Sequence, residues 1–166
     1  MKVTVVIPSY AKDEMLTQLT QRVIDSLHNS SDIHTFRVLI YEQNKTVKYN
    51  NAETIHYDYP FIYNKVMNDG IAISDTDWVL LSNNDVFYHK NWLEEMQPAI
   101  DMGYLSLSPL SEAWHKRKGI AKGNRLMGGY AVGYYFCGWS LLCHKKVFKK
   151  IGKLNEGVNF FFSDNT

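Results

Sequence analysis

The sequence has little of several features that mark other classes of protein. Basic and acidic residues nearly balance, giving a net charge of +1, so there is no electrostatic footprint for nucleic acid or an anionic membrane. No apolar run approaches the ~20 residues that a membrane-spanning helix needs. The apolar run Val3–Ile7 is too short for a signal peptide, and Pro8 follows it at once. We therefore expect neither a nucleic-acid partner nor a transmembrane segment.

Cysteine is also scarce. Cys137 and Cys143 lie six residues apart, which is not a metal-site spacing, and no other cysteine is present to pair with them. Both are expected to be reduced, as in a cytoplasmic protein. There are no internal repeats. The length of 166 residues suits one domain with a substantial core.

Strand-like and helix-like patterns alternate along the chain. Short runs rich in apolar residues predict strands at Val3–Ile7, Val38–Tyr41, Ile55–Tyr57, Trp78–Leu81, Tyr104–Leu107 and Tyr134–Cys143. Apolar residues at helical spacing predict helices over 15–27, 62–71, 92–100 and 147–151, with Gly70 near the end of the second. This alternation indicates an α/β protein built from βαβ units around a largely parallel sheet.

The predicted strand Trp78–Leu81 ends abruptly in the polar segment Ser82–Asp85. Ligands of open α/β sheets bind beyond the carboxyl ends of the strands. Asp85 would therefore offer an oxygen ligand where a metal-bound diphosphate could sit, and Mg²⁺ and Mn²⁺ take carboxylates and phosphates as ligands. The alternative is that these polar residues end the strand and cap a helix that begins near Lys90.

The segment from Ser111 to Gly133 differs in character from the rest. Five basic residues lie between positions 116 and 125, and three glycines follow without a phosphate-loop pattern. It is either a solvated surface loop or a basic flap that closes over phosphates or an acidic acceptor.

Further segments share their order and character with a known enzyme family. They are Val3–Tyr10, Glu42, Asn68–Ile71, Asp77–Trp78, Ser82–Asp85, Trp92, Gly138–Ser140, Phe148–Glu156 and Ser163–Asp164. Together they resemble the GT-A-fold glycosyltransferases of family 2. The resemblance implies a Rossmann-like, open and mostly parallel central sheet flanked by helices. It also implies a donor-binding half, residues 1–110, and an acceptor-side half, residues 111–166, within one structural domain.

The resemblance assigns a role to each candidate site residue. Those that would bind the nucleotide sugar are Pro8, Ser9, Tyr10, Glu42, Asn68, Asn84 and Asp85. Asp85 would also hold Mn²⁺ or Mg²⁺, Trp139 would stack on the acceptor sugar, and Asp164 would be the general base. Several roles have a structural alternative: a turn for Pro8 and Ser9, a helix cap for Asn68, a core position for Trp139, and a frayed end for Asp164.

Three departures from the family pattern qualify the resemblance. Asn84 stands where the metal motif has its first acidic residue, so Asp85 would hold the metal with only the diphosphate and water. Ser163 stands where the family has a glutamate, which affects acceptor recognition. The sequence ends where members continue with a helix that completes the acceptor site, so we expect the acceptor side to be incomplete and the chain to be a truncated form.

Three functions follow as hypotheses. The first is a metal-dependent, inverting glycosyltransferase that moves a sugar from a nucleotide-diphosphate donor to a saccharide or other hydroxyl acceptor. The second is a non-catalytic nucleotide-sugar-binding module. A third and weaker one, a nucleotidyltransferase, needs a second metal-binding carboxylate, and Asp75 and Asp77 precede their strand at its wrong end.

Overall fold

A computed structural model describes residues 1–111, 115, 117, 119, 127–129, 135 and 138–157. Its strands are β1 (Lys2–Ser9), β2 (Thr35–Glu42), β3 (Glu53–His56), β4 (Trp78–Ser82), β5 (Ser106–Leu107) and β6 (Ser140–His144). Its helices are α1 (Glu14–Asn29), α2 (Tyr63–Ile73), α3 (Trp92–Asp101) and α4 (Lys145–Ile151). In this part of the chain, no helix is both long enough and apolar enough to cross a membrane.

The six strands form one sheet in the order β3-β2-β1-β4-β6-β5. Strands β1 to β4 run parallel, whereas β6 is antiparallel to β4 and β5 is antiparallel to β6. The predicted α/β class and largely parallel sheet are therefore confirmed. The chain builds outward from β1 to β3 and then returns to the other side of β1, which creates a switch point between β1 and β4 where ligands of open sheets bind.

Alternate residues of β1 face opposite layers of the core, as the two-residue period of a strand requires. Val5 packs in a cluster with residues of α1 and α3, and Val6 packs in a second cluster with residues of α2 and α4. Burial on both faces explains why the parallel strands are continuous apolar runs in the sequence. Gly70 lies inside α2, and a Cβ there would be 2.4 Å from Cγ1 of Val6, so α2 can lie this close to β1 only with glycine at that position.

Two predicted strands are shorter in the structure. The strand predicted over Tyr104–Leu107 contains only Ser106–Leu107. Of the strand predicted over Tyr134–Cys143, residues 134, 136 and 137 lie outside the described residues; β6 begins at Ser140, with Gly138 and Trp139 in a turn before it. The helix expected near Lys90 begins at Trp92, after Asn91, whose backbone φ is 63°. The side chain of Asn91 makes no capping hydrogen bond. The segment Ser82–Asp85 ends β4, as that alternative expects, but it does not cap this helix, so the capping part of the alternative is wrong.

Candidate active site at the carboxyl edge of the sheet

Four elements bring the candidate residues to one edge of the sheet. β1 ends at Ser9 directly opposite Glu42 at the end of β2, and β4 ends at Ser82 opposite Ser140 at the start of β6. Because β6 is antiparallel, its first residue lies at the same edge as the last residues of the parallel strands. Trp139 therefore reaches the edge that carries the other candidates.

Glu42 is fully buried, and its carboxylate accepts hydrogen bonds from amide and hydroxyl groups of the protein itself. Oε1 accepts hydrogen bonds from the amides of Ala11, at 3.1 Å, and Asn44, at 2.7 Å. Oε2 accepts a hydrogen bond from the hydroxyl of Tyr49 at 2.8 Å. Glu42 thus fixes the loop that follows β1 to the loop that follows β2. A direct contact with a nucleoside base stays a prediction, and it would compete with these bonds.

The loop after β1 presents Tyr10 to solvent. Tyr10 is 50% exposed, and Nζ of Lys12 lies 5.0 Å from the centre of its ring. Pro8 and Ser9, by contrast, are buried in the last two positions of β1 and do not form a separate turn. Of the four residues proposed to contact the nucleoside, Tyr10 alone offers an open aromatic face.

A buried group of hydroxyls, which sequence reasoning missed, lies behind this loop. Ser9 Oγ is 3.0 Å from the hydroxyl oxygen of Tyr49 and 3.3 Å from Oγ1 of Thr20. Burial raises the pKa of Tyr49 to about 12, so its hydroxyl keeps the proton that it donates to Glu42. Tyr49 and Thr20 are far from Ser9 in sequence, so no local pattern indicated this pairing.

The three polar residues after β4 point in different directions. The amide of Asn83 donates a hydrogen bond to the carbonyl oxygen of Trp139 at 2.9 Å. The side-chain nitrogen of Asn84 donates inward to Oγ1 of Thr20 at 3.1 Å. Asp85 is exposed and takes part in no ion pair among the described residues. Asp85 is therefore the carboxylate that the loop leaves open to a ligand.

The side chain of Tyr88 stabilises the start of this loop through hydrogen bonds to β4 and β6. Its buried hydroxyl donates to Oγ of Ser82 at 2.8 Å and lies 2.8 Å from Oγ of Ser140. Ser82 in turn donates to the carbonyl oxygen of Asn83 at 2.9 Å. Burial raises the pKa of Tyr88 to about 12, which keeps this hydroxyl protonated. The hydroxyl groups of Tyr88, Ser82 and Ser140 thus link β4 to β6 and fix the backbone of the loop that carries Asp85.

Asp85 fits a divalent cation in one respect. Mg²⁺ is commonly held by one or two carboxylates together with substrate phosphates and water, and an exposed, unpaired carboxylate at the switch point suits that arrangement. Within the described ranges, no group of three or more histidine, cysteine, aspartate or glutamate side chains forms a cage for a metal.

Asn68 occupies an interior position of α2, so the alternative that it caps this helix is wrong. Its Nδ2 donates to the carbonyl oxygen of Leu154 and to Oε1 of Glu156, both at 2.9 Å. Its Oδ1 accepts from the amide of Leu154 at 2.9 Å. One turn earlier, Asn64 donates to the carbonyl oxygen of Asn155 at 2.7 Å. A contact between Asn68 and the diphosphate stays a prediction.

Two predictions fall on other parts of the chain. Asp164 and its neighbour Ser163 lie outside the described residues, and so do four of the five basic residues of the predicted flap, the described one being the exposed Arg117. Trp139 is half-buried, so its side chain belongs neither to the fully buried core nor to the open surface. Its predicted stacking on a sugar stays a prediction.

The comparisons with known proteins identify the fold. No protein-family model matches the sequence, and no curated protein matches it. Solved structures do match. A crystal structure of S. aureus TarS 1–349 has a TM-score of 0.67 at 14% identity, over 96% of this chain and 52% of that one.

Two further structures were determined with ligands. A mannosyltransferase from Pyrobaculum calidifontis, in complex with GDP-Man and Mn²⁺, has a TM-score of 0.64 at 10% identity, over 94% of this chain and 48% of its own. A mutant of Drosophila galactosyltransferase 7, in complex with manganese, UDP-Gal and xylobiose, has a TM-score of 0.50 at 16% identity. The match covers 95% of this chain and 54% of that one. The chain therefore has the GT-A glycosyltransferase fold, and it spans about half the length of these structures.

Proposed function

We propose that the chain is the donor-binding part of a metal-dependent glycosyltransferase that uses a nucleotide-diphosphate sugar. The observation that carries the proposal is the exposed carboxylate of Asp85 at the switch point between β1 and β4, which forms no ion pair with any residue that the structure describes. The fold supports it, because two structures of this fold hold a nucleotide sugar together with manganese. Fold alone does not determine the reaction, so the proposal rests on the site.

In the proposed complex, the nucleoside lies over the loop after β1, against the exposed ring of Tyr10. Pro8, Ser9 and Glu42 shape that loop, and Asn84 and Asn68 line the path toward the diphosphate. Asp85 would hold Mn²⁺ or Mg²⁺, which when bound neutralises charge on the leaving diphosphate. Trp139 would meet the acceptor sugar, because its backbone is hydrogen-bonded to the loop that carries Asp85.

The acceptor side depends on the last part of the chain. Asp164 would accept the proton of the attacking hydroxyl, and a base on the face opposite the leaving group gives an inverting reaction. Asn64 and Asn68 hold residues 154–156, which lead toward Asp164 in the sequence. We therefore retain the division into a donor half, 1–110, and an acceptor half, 111–166. The free, buried thiol of Cys143 accords with a cytoplasmic setting.

A non-catalytic nucleotide-sugar-binding module is the second candidate. It would need the donor site alone, and the described residues supply the candidates for that site, Tyr10 and Asp85, at the carboxyl edge of the sheet. The nucleotidyltransferase hypothesis has less support, because Asp75 is paired with Lys2 and Arg37 at the opposite edge of the sheet.

A thermal-shift screen of nucleoside diphosphates, with and without Mn²⁺, tests the proposal. Ligand at a hundredfold excess over its dissociation constant stabilises the folded state by about 2.7 kcal/mol. Asp85→Ala should abolish the Mn²⁺-dependent part of the shift. Asp77→Ala is the matched control, because Asp77 is an exposed carboxylate that precedes β4 at the opposite edge. An equal shift with and without Mn²⁺ in all three proteins would refute the metal site.

A further inference from the structure

A continuous chain of hydrogen-bonded side chains, all buried except the half-buried Asn84, connects the loop after β4 to the loop after β1. It runs from Asn84 through Thr20, Ser9 and Tyr49 to Glu42, with contacts of 3.1, 3.3, 3.0 and 2.8 Å. Its inner members are almost inaccessible to solvent, with Thr20 and Glu42 fully buried. Hydrogen bonds in such an environment polarise one another, so a change at one end affects the other.

The hydroxyl of Ser9 has two possible acceptors for its single proton, the oxygens of Tyr49 and Thr20. Thr20 donates its own hydroxyl proton to the carbonyl oxygen of Leu16, and Tyr49 donates its own to Glu42. Both oxygens can therefore only accept from Ser9, whose hydroxyl carries a single proton. Ser9 donates either to Tyr49 or to Thr20, and these are two discrete arrangements of the chain.

Asn84 biases the choice between them. Its Nδ2 already donates to one lone pair of the Thr20 oxygen, which makes that oxygen a weaker acceptor for a second proton and favours donation from Ser9 to Tyr49. If Asn84 turns away toward a ligand, Thr20 loses that donor and attracts the proton of Ser9 instead. Tyr49 is then a weaker donor to Glu42, so the carboxylate is fixed less firmly in position relative to the amides of Ala11 and Asn44.

We propose that Ser9 is a hydrogen-bond switch through which Asn84 controls the Glu42 carboxylate that holds the loop after β1. Ser9, Thr20 and Tyr49 act in it as positioning residues. A diphosphate that draws Asn84 outward loosens the nucleoside loop and makes an oxygen of Glu42 available to the base. The switch deepens the proposed function and rests on it for the identity of the ligand that moves Asn84.

The switch can be tested without any ligand, by amide hydrogen exchange. Asn84→Ala removes the donor to Thr20 and should speed exchange at the amides of Ala11 and Asn44 by about two- to tenfold, the range for weakening one hydrogen bond. Asn83→Ala is the matched control, because the side chain of Asn83 faces Tyr63 and not the chain of hydroxyls. It should leave both amides unchanged.

Substitution of Thr20 distinguishes the proposed switch from a general loosening of the loop after β1. In Thr20→Val the acceptor is absent, so Ser9 donates to Tyr49 whatever Asn84 does, and Asn84→Ala should have no further effect on Ala11 and Asn44. In Thr20→Ser the acceptor is kept, and the effect should return. An effect of Asn84→Ala that is equal in the Thr20→Val background, or absent from the parent, would overturn the proposal.

Mn²⁺ with inorganic pyrophosphate then tests the ligand separately. It should change exchange over residues 82–86 and reproduce the effect at Ala11 and Asn44 in the parent but not in Thr20→Val. No change over 82–86 would count against the proposed metal site, while the result with Asn84→Ala would still decide the switch. A change over 82–86 without any change at Ala11 and Asn44 would overturn the switch.

Discussion

Replacing Gly70 with alanine is expected to destabilise the protein, although alanine is the better helix former. In a helix interior, alanine is favoured over glycine by about 1 kcal/mol. Here the new Cβ would lie 2.4 Å from Cγ1 and 2.6 Å from Cγ2 of Val6. Non-bonded carbon atoms prefer roughly 3.5–4.0 Å, so α2 would have to move by about 1 Å away from the sheet.

The surroundings of Val6 determine the size of the effect. Val6 is fully buried in β1, which is hydrogen-bonded to β2 on one side and β4 on the other, so it cannot move aside. Overpacking costs typically ~1–3 kcal/mol, and a rigid neighbour places this site near ~3. Subtracting the helix propensity leaves a net loss of about 2 kcal/mol. For a domain of this size the melting temperature would fall by roughly 4–8 °C.

Urea unfolding of the single and double variants measures the effect. Val6→Ala removes both methyl groups that would meet the new Cβ, so Gly70→Ala should cost far less in that background. Contacting residues typically show coupling of about 0.5–3 kcal/mol, and independent sites add within about 0.5 kcal/mol. A Gly70→Ala protein as stable as the parent, or effects that simply add, would refute this account of how α2 packs on β1.

Three further predictions concern the site. Tyr88→Phe removes the hydroxyl between Ser82 and Ser140 and should lower the free energy of unfolding by about 1–3 kcal/mol in urea titrations; unchanged stability would show that this hydroxyl is not needed. Binding of nucleotide and Mn²⁺ should protect residues 116–125 from trypsin if they form a flap, and identical cleavage rates would favour a surface loop. In a longer form of the chain, Asp164→Asn should lower sugar transfer by ~10²–10⁴-fold with little change in nucleotide affinity; transfer at the parental rate would place the base elsewhere.

Local sequence patterns predicted the parts of the fold that depend on local periodicity. The buried strand Trp78–Leu81 and the polar segment after it placed Asp85 at the correct edge of the sheet. The start of β5 was predicted too early because the apolar residues Tyr104 and Leu105 lie in an exposed loop. Apolar character alone does not separate such residues from a strand.

The side-chain pairings of the site could not be read from the sequence. Asn84 and Thr20 are 64 positions apart, and Asn68 and Leu154 are 86 apart. Such pairs form only once the sheet has set the register of its strands. The resemblance assigned Glu42 to the nucleoside pocket, which stays a prediction. The hydrogen bond that its buried carboxylate accepts from Tyr49 was marked by no motif.

The proposed function depends on Asp85, which would hold a divalent cation together with a nucleoside diphosphate at the carboxyl edge between β1 and β4. The most direct test is a crystal structure with Mn²⁺ and the nucleoside diphosphate that stabilises the protein most, in which anomalous scattering locates the manganese. We expect manganese bound to the carboxylate of Asp85 and to the diphosphate, with the nucleoside against Tyr10. Nucleotide bound elsewhere, or manganese bound at this edge without Asp85, would contradict the account.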